Sequence, residues 1–192
     1  STIIKTNRLI LRDWNRNDIK PYYMINQDPK VIEYLPSSMT LEQVEDFVEK
    51  MNKQLQKKNY TLFAVELKKT GEFMGFTGLN HTDFSSFFTP AVEIAWRLGS
   101  QFWGMGYATE ASEAVLRFGF KTIKLEEILS FTTPKNLRSI RVMEKIGLTR
   151  DLNGDFLHPK LNKDHNLAHH VLYKISVHAY QERMKSSVLG KD

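Results

Sequence analysis

The chain of 192 residues contains no cysteine, so disulfides, thiolate metal sites and a cysteine nucleophile are excluded. Long apolar runs are missing as well. None approaches the roughly 20 residues that cross a bilayer, and the opening "STIIKTNRLILRDW" lacks the apolar core of a signal peptide. A soluble, cytoplasmic protein with no membrane partner is therefore expected. Charge of one sign is only slightly in excess: 27 Lys and Arg stand against 22 Asp and Glu, a formal +5. A nucleic-acid or ribosome binder would use such an excess, but the lysines are scattered. This pattern argues against nucleic acid and for a mildly basic solvated surface, or a local pocket for a polyanionic small molecule.

What is present reads as one domain over residues 1–192, without repeats, low-complexity tracts or a linker. Ile3 to Trp14 alternates as an opening strand, with Leu9 and Leu11 opposite Arg8, Ile10 and Arg12. Asn15 is a helix start and Asp28-Pro29 its stop. Thr40 and Gln43 have capping-box spacing before a helix whose apolar face carries Val44, Phe47, Val48, Met51 and Leu55. Strand patterns follow at Tyr60–Leu67, "FMGFTGLNHTDF" and "AVEIAWRL", the first two joined by a turn at "KKTGE". A helix over Gly104–Lys121, a strand "EEILSFTT", a short helix Asn136–Lys145 capped by Gly147, and a last strand "LAHHVLYKISV" complete the pattern. The tail from about residue 181 is expected to be frayed or peripheral.

The segment Gln101-Phe-Trp-Gly-Met-Gly-Tyr-Ala108 lies between a strand and a helix. Unpaired N–H groups at a helix N-terminus form an anion cradle, and glycine there supplies positive φ and keeps a Cβ away from the anion. An ordinary strand-to-helix turn would also use two glycines. The dinucleotide fingerprint lacks its third glycine, and the P-loop lacks its Gly-Lys-Ser/Thr.

With "VEIAWRLGSQFWGMGYATEA" around it, this loop resembles the Gln/Arg-x-x-Gly-x-Gly/Ala signature of the GNAT superfamily of acyl-CoA N-acyltransferases. "TNRLILRDWNRND" and "TTPKNLRSIRVMEKIGL" extend the likeness over roughly Thr6 to Ser176, most similar to the Rim-type branch that acetylates ribosomal-protein N-termini. The resemblance implies a mixed α/β (α+β) fold with a central twisted, mostly antiparallel sheet of about seven strands flanked by helices. It also implies acetyl-CoA (coenzyme A) as co-substrate, no metal, and direct acetyl transfer to a primary amine such as a protein N-terminus. The alternatives are a small-molecule amine (polyamine, amino acid or antibiotic) or a catalytically silent CoA-binding module; either a monomer or a homodimer fits.

By the same resemblance, Ala95, Trp96, Arg97 and Leu98 pair their backbone with the pantetheine. Gln101, Phe102, Trp103, Gly104, Met105, Gly106, Tyr107, Ala108 and Thr109 donate to the pyrophosphate, and Asn136 bonds the pantetheine arm. Transfer needs a base for the ammonium, a donor for the oxyanion and an outlet for the thiolate. Glu93 is the candidate base, since it sits in an apolar strand on the face of Ala95 and Arg97, where desolvation raises a carboxyl pKa. A surface glutamate, or one paired with Arg97, is the alternative. Asn136 is also a natural N-cap, and Ser139, one turn on, is placed to donate to the thiolate or is simply a small helix residue. Met143 departs from the family, which often places an acidic tyrosine there; methionine donates no proton.

Other residues are read more lightly. His169 and His170, as strand neighbours, point to opposite faces and make poor joint metal ligands, with His165 nearby. His81 faces either the acceptor groove or nothing functional. Trp14, Trp96 and Trp103 are core or cofactor-lining; acceptor choice is expected in loops such as Tyr34–Thr40 and Asp83–Pro90, and Phe84, Phe87 and Phe88 of the latter wall an acceptor pocket, form an oligomer contact or cap the core.

Overall fold

The computed structural model describes residues 1–189. The opening strand is in fact a hairpin: β1 (Thr2–Lys5) turns back into β2 (Leu9–Arg12), antiparallel to it. The turn contains neither glycine nor proline, so the alternation ran through it unbroken. It is closed by Thr6, whose backbone N–H donates to Leu9 O while its hydroxyl accepts from Leu9 N.

Asn15 caps a short helical turn at Arg16–Asp18 that leads into α1 (Ile19–Ile25). Asp28-Pro29 does not only stop that helix. Asp28 accepts from Lys30 N and Pro29 opens α2 (Pro29–Ile32), since a proline is tolerated at the first helical position where no N–H is needed. The capping box at Thr40 and Gln43 starts α3 (Leu41–Lys58) as the spacing predicts, and Val44, Val48 and Met51 bury its apolar face.

Strands β3 (Leu62–Leu67), β4 (Phe73–Thr82) and β5 (Ala91–Leu98) continue the antiparallel meander. Next come α4 (Tyr107–Arg117), which widens into a π-turn at Phe118–Thr122, then β6 (Glu127–Thr132) and α5 (Leu137–Lys145). Two short strands, β7 (Thr149–Arg150) and β8 (Phe156–Leu157), precede β9 (His169–Ser176). The sheet runs β1-β2-β3-β4-β5-β6-β9-β7, with β8 paired to β9, so the two short strands bring the count to nine among the described residues. All pairings are antiparallel except β5 with β6.

Alternation splits the apolar residues between two faces. One face packs Leu9, Leu11, Ile94 and Leu98 against α4 and α5. The other packs Phe76 and Ala64 against Trp14, Tyr22 and the α3 stripe, with Trp14 Nε1 donating to Leu62 O at 2.7 Å.

The tail expected to fray from about 181 is instead helical, as α6 (Val177–Leu189). Tyr180 is buried against Phe120, and Arg183 pairs with Glu113 at 2.6 Å and donates to Lys145 O. No local signal announces that anchorage, because its partners lie on α4 and α5. No described helix is long and apolar enough to cross a membrane.

Candidate active site

Strands β5 and β6 share a single paired position, Glu93 with Leu129, and then part. Ser130 Oγ donates to Ile94 O at 2.8 Å, and Trp103 Nε1 donates to Leu98 O at 3.0 Å. Gly99 N turns the other way, to Met74 O on the β4 side. Strand alternation therefore directs the N–H and C=O of Trp96 to the open edge between the two strands. This gap opens into a cavity of about 710 Å³.

The glycine loop forms one end of the cavity. Gly104 and Gly106 have φ of +79° and +80°, the left-handed conformation that glycine adopts without strain. The first helical bond of α4 runs from Glu110 N to Gly106 O. Among the described residues, the N–H groups of Gly106 to Thr109 at the start of α4, and that of Gly104 before it, have no acceptor within the protein. An ideal Cβ on Gly104 would meet nothing, and one on Gly106 only Arg8. Positive φ, rather than crowding by the protein, accounts for these glycines, and the cradle suits a pyrophosphate.

Glu110, in the first turn of α4, holds this loop in place. Its carboxylate accepts from Arg8 Nε at 2.7 Å, Thr6 Oγ1 at 2.6 Å and Arg8 N at 2.9 Å. Burial alone would raise this carboxyl; the bonds from Thr6 and Arg8 outweigh it and hold the group below its usual range. Arg8 also donates to Met105 O at 2.9 Å and lies 4.3 Å from the Tyr107 ring centroid. The hairpin turn thus clamps the loop, a link between positions too distant in the chain for spacing to suggest. Replacing Arg8 by Ala is expected to raise the apparent Kd for acetyl-CoA roughly three- to tenfold, modest because the pair is half-exposed. Titration calorimetry checks this, and unchanged affinity would reduce the clamp to a fold contact.

Helix α5 forms the facing wall. Asn136 is its N-cap: Oδ1 accepts from Ser139 N at 3.4 Å and Nδ2 donates to Thr132 Oγ1 at 3.1 Å. Ser139 lines the cavity. Arg138, Arg141 and Lys145 line it too, and Arg138 lies 3.3 Å from the Trp103 ring centroid. Their i, i+3, i+7 spacing is legible in the sequence as a basic face, although the overall scatter of charge hides it. Met143 is 1% exposed and lines the inner wall of the cavity, and its thioether has no proton to give.

Glu93 lies deep in the sheet yet opens on the cavity. Burial pushes its carboxyl from 4.5 up to about 7, against smaller opposing effects of the Thr82 hydroxyl, Lys160, Arg97 and Asn80. No Glu93–Arg97 ion pair forms among the described residues: Arg97 Nη1 donates to Asn26 Oδ1 at 2.7 Å and Tyr22 Oη at 3.2 Å. Of the residues expected at the site, Glu93, Ala95–Leu98, Phe102–Gly104, Gly106–Thr109, Asn136 and Ser139 line one cavity. Gln101 and Met105 lie outside it; Met105 contributes its carbonyl to the Arg8 clamp, and the exposed Gln101 side chain folds over Gly99.

The remaining expectations divide. Of the two loops expected to govern acceptor choice, Tyr34–Thr40 contributes Tyr34, Leu35 and Pro36 to the cavity wall, whereas no residue of Asp83–Pro90 lines it. Nor does His81. It faces a separate shallow groove with Asp83 and the α3 lysines Lys50 and Lys53, because its strand neighbour position turns it away from Glu93's face. His169 pairs with Asp155 at 3.2 Å while His170 turns into the cavity, and no group of three His, Asp or Glu residues capable of holding a metal occurs among the described residues.

A family model described as an acetyltransferase (GNAT) domain matches residues 8–149. The chain is similar to the uncharacterized N-acetyltransferase YnaD of Bacillus subtilis, 33% identical over 150 residues, which span 77% of this chain and 83% of that protein. Among solved structures, a GNAT-family acetyltransferase from Bacillus anthracis superposes with a TM-score of 0.73 at 31% identity, covering 91% of this chain and 98% of that one. RimL, a ribosomal L7/L12 α-N-protein acetyltransferase in complex with coenzyme A, superposes with a TM-score of 0.74 at 15% identity, covering 93% and 99%. At that identity the likeness is one of fold.

Proposed function

The chain belongs to the GNAT family of acetyltransferases, and from that premise we propose that it moves the acetyl group of acetyl-CoA directly onto a primary amine, with Glu93 as base. The observation that carries this reading is the meeting, in one cavity, of a free strand edge, a glycine-loop donor cradle and a buried carboxyl poised near neutrality.

GNAT acetyltransferases use acetyl-CoA. In this chain the N–H groups of Gly104–Thr109 would hold its pyrophosphate, with Arg138, Arg141 and Lys145 supplying positive charge beside them. The edge groups of Trp96 would take the pantetheine and offer a donor to the developing oxyanion. Positioning of this kind removes much of the entropic barrier.

The amine reaches the site as an ammonium. Glu93 takes its proton, the nitrogen lone pair attacks the thioester carbonyl, and a tetrahedral oxyanion forms. Collapse of that oxyanion breaks the C–S bond, the sulfur leaving with the bonding pair, and the second proton of the nitrogen passes to the departing thiolate, so that amide and free thiol form. A thiolate of ordinary pKa needs little acid assistance, and Ser139, which lines the cavity, would donate a hydrogen bond to it. Met143 then costs the mechanism nothing.

For the acceptor, the protein N-terminus rests on a likeness of fold alone. Tyr34, Leu35 and Pro36 on one side, and Leu161 and Leu167 on the other, wall the cavity with apolar loops. That enclosure favours a small-molecule amine. The test is to incubate the protein with acetyl-CoA and a panel of small primary amines and peptides. Release of free thiol is followed, with acetylated product identified by mass. Acetyl-CoA binding without transfer to any amine would instead indicate a silent CoA-binding module.

A further inference from the structure

Register places a second group of side chains on Glu93's face of the sheet. Because Glu93 opposes Leu129, Phe131 shares that face. Phe131 opposes Leu172 on β9, which brings His170 to the same face, and His170 in turn opposes Phe156 on β8. Phe131, His158 and His170 all line the cavity that holds Glu93. Their ring centroids lie 6.0 Å (Phe131–His170), 6.0 Å (Phe131–His158) and 5.2 Å (His158–His170) apart.

Other rings back this group. Phe84 lies 4.6 Å from His158 and 5.7 Å from Phe131, and Phe156 lies 5.4 Å from His170. With that backing the three rings pack on one another, and where they border the cavity they offer an edge or a face to a further ring. Burial, together with His170 and Lys160, pushes the His158 imidazole down to about 4, and burial also lowers His170. Both are therefore neutral at physiological pH and act as flat, weakly polar surfaces rather than cations.

The charge of the cavity adds a second constraint. Glu93 is the sole carboxylate among the described residues that line it, and with the α5 cations facing the pyrophosphate, Arg97 and Lys160 are the charges that act on it. An acceptor carrying several ammonium groups would bring the second and third of them to a site with no further anion and a surplus of cations.

We propose that Phe131, His158 and His170 form the acceptor subsite, and that it selects a primary amine bearing a single positive charge and an aromatic ring over aliphatic amines and polyamines. The inference rests on the reading that Glu93 receives the amine's proton. Its test compares 2-phenylethylamine, n-butylamine and spermidine as acceptors for the wild type and for Phe131→Leu. In the wild type, kcat/KM for 2-phenylethylamine is expected to exceed that for n-butylamine about tenfold, the order of one aromatic contact, and that for spermidine by more. Phe131→Leu should erase most of the preference over n-butylamine, chiefly by raising KM for 2-phenylethylamine. Equal or better use of n-butylamine or spermidine by the wild type overturns the proposal.

A separate titration keeps the subsite testable without catalysis. Calorimetry of CoA-saturated protein with 2-phenylethylamine should show saturable binding that Phe131→Leu weakens; no binding at millimolar amine overturns the subsite. Absence of turnover with every amine, combined with that saturable binding, would sink the Glu93 reading and leave the subsite standing.

Discussion

Replacing Glu93 by Gln is expected to lower kcat/KM by about a hundredfold to ten-thousandfold, the range typical of a lost general base, and at the same time to make the protein more stable at pH 8. The pairing of these two effects follows from the position of the carboxyl. It is buried enough to titrate near 7 rather than 4.5, so folding favours its protonated form. Between those two values the folded chain binds more protons than the unfolded chain, and stability falls as pH rises through the window. Above about 7 the full penalty is present, on the order of 1–3 kcal/mol after allowance for the part of the group that faces the cavity. Gln removes it, and for a chain of this size the gain corresponds to a few degrees in Tm.

The activity of the wild type runs opposite to its stability. The base must be ionised to accept a proton, so kcat/KM should climb with pH through about 7, and the Gln variant should lose that limb of the profile. Thermal melts at pH 5 and pH 8, set beside pH profiles of both proteins, separate the possibilities. A variant that loses stability at pH 8 together with activity would make Glu93 a structural residue. One that keeps full activity and the acidic limb would remove it from the reaction.

A second large effect is expected at the glycine loop: Gly106→Asp should weaken acetyl-CoA binding by about a hundredfold or more while the fold persists. Gly106 is the residue before α4 and has φ +80°. An aspartate there would direct its carboxylate at the unpaired N–H groups, or at the Arg8 guanidinium that lies 3.5 Å from the Cβ position. Either contact satisfies the new charge, so the chain should still fold, although the left-handed φ strains any residue with a Cβ. The same carboxylate repels a pyrophosphate from the cradle; two like charges a few ångströms apart at a protein surface differ from an attractive pair by several kcal/mol, about a hundredfold or more.

Gly106→Ala is the control. Its Cβ fits the space and adds strain without charge, so affinity should fall by roughly tenfold or less. Calorimetric titration with acetyl-CoA decides the matter. Wild-type affinity in the Asp variant, with its circular dichroism unchanged, would move the phosphate site away from this loop.

Much of this protein's local grammar could be read from the chain without coordinates. The capping box at Thr40 and Gln43, the C-terminal Gly147 of α5, the N-cap at Asn136 and the face on which Glu93 sits all depend on neighbours within about one helical turn or one strand repeat. The glycine loop and its family belong in the same group, since positive φ at Gly104 and Gly106 is a demand of the local turn. The local signal is ambiguous at two places: the turn at Thr6 carries no glycine or proline, and Asp28-Pro29 serves equally as a stop and as a start.

Tertiary structure was needed wherever function depends on a meeting of remote segments. The Arg8–Glu110 clamp, the Arg138–Trp103 stack, the anchorage of α6 through Arg183 and the Phe131–His158–His170 group each join elements with no common periodicity. The pKa of Glu93 belongs here as well, because alternation tells which way a side chain points but not how much protein closes over it. Local preferences arise from short-range sterics and hydrogen bonding, which the nearest residues dictate. Desolvation and charge pairing act through space, so their strength is set only when the sheet has brought the distant residues together.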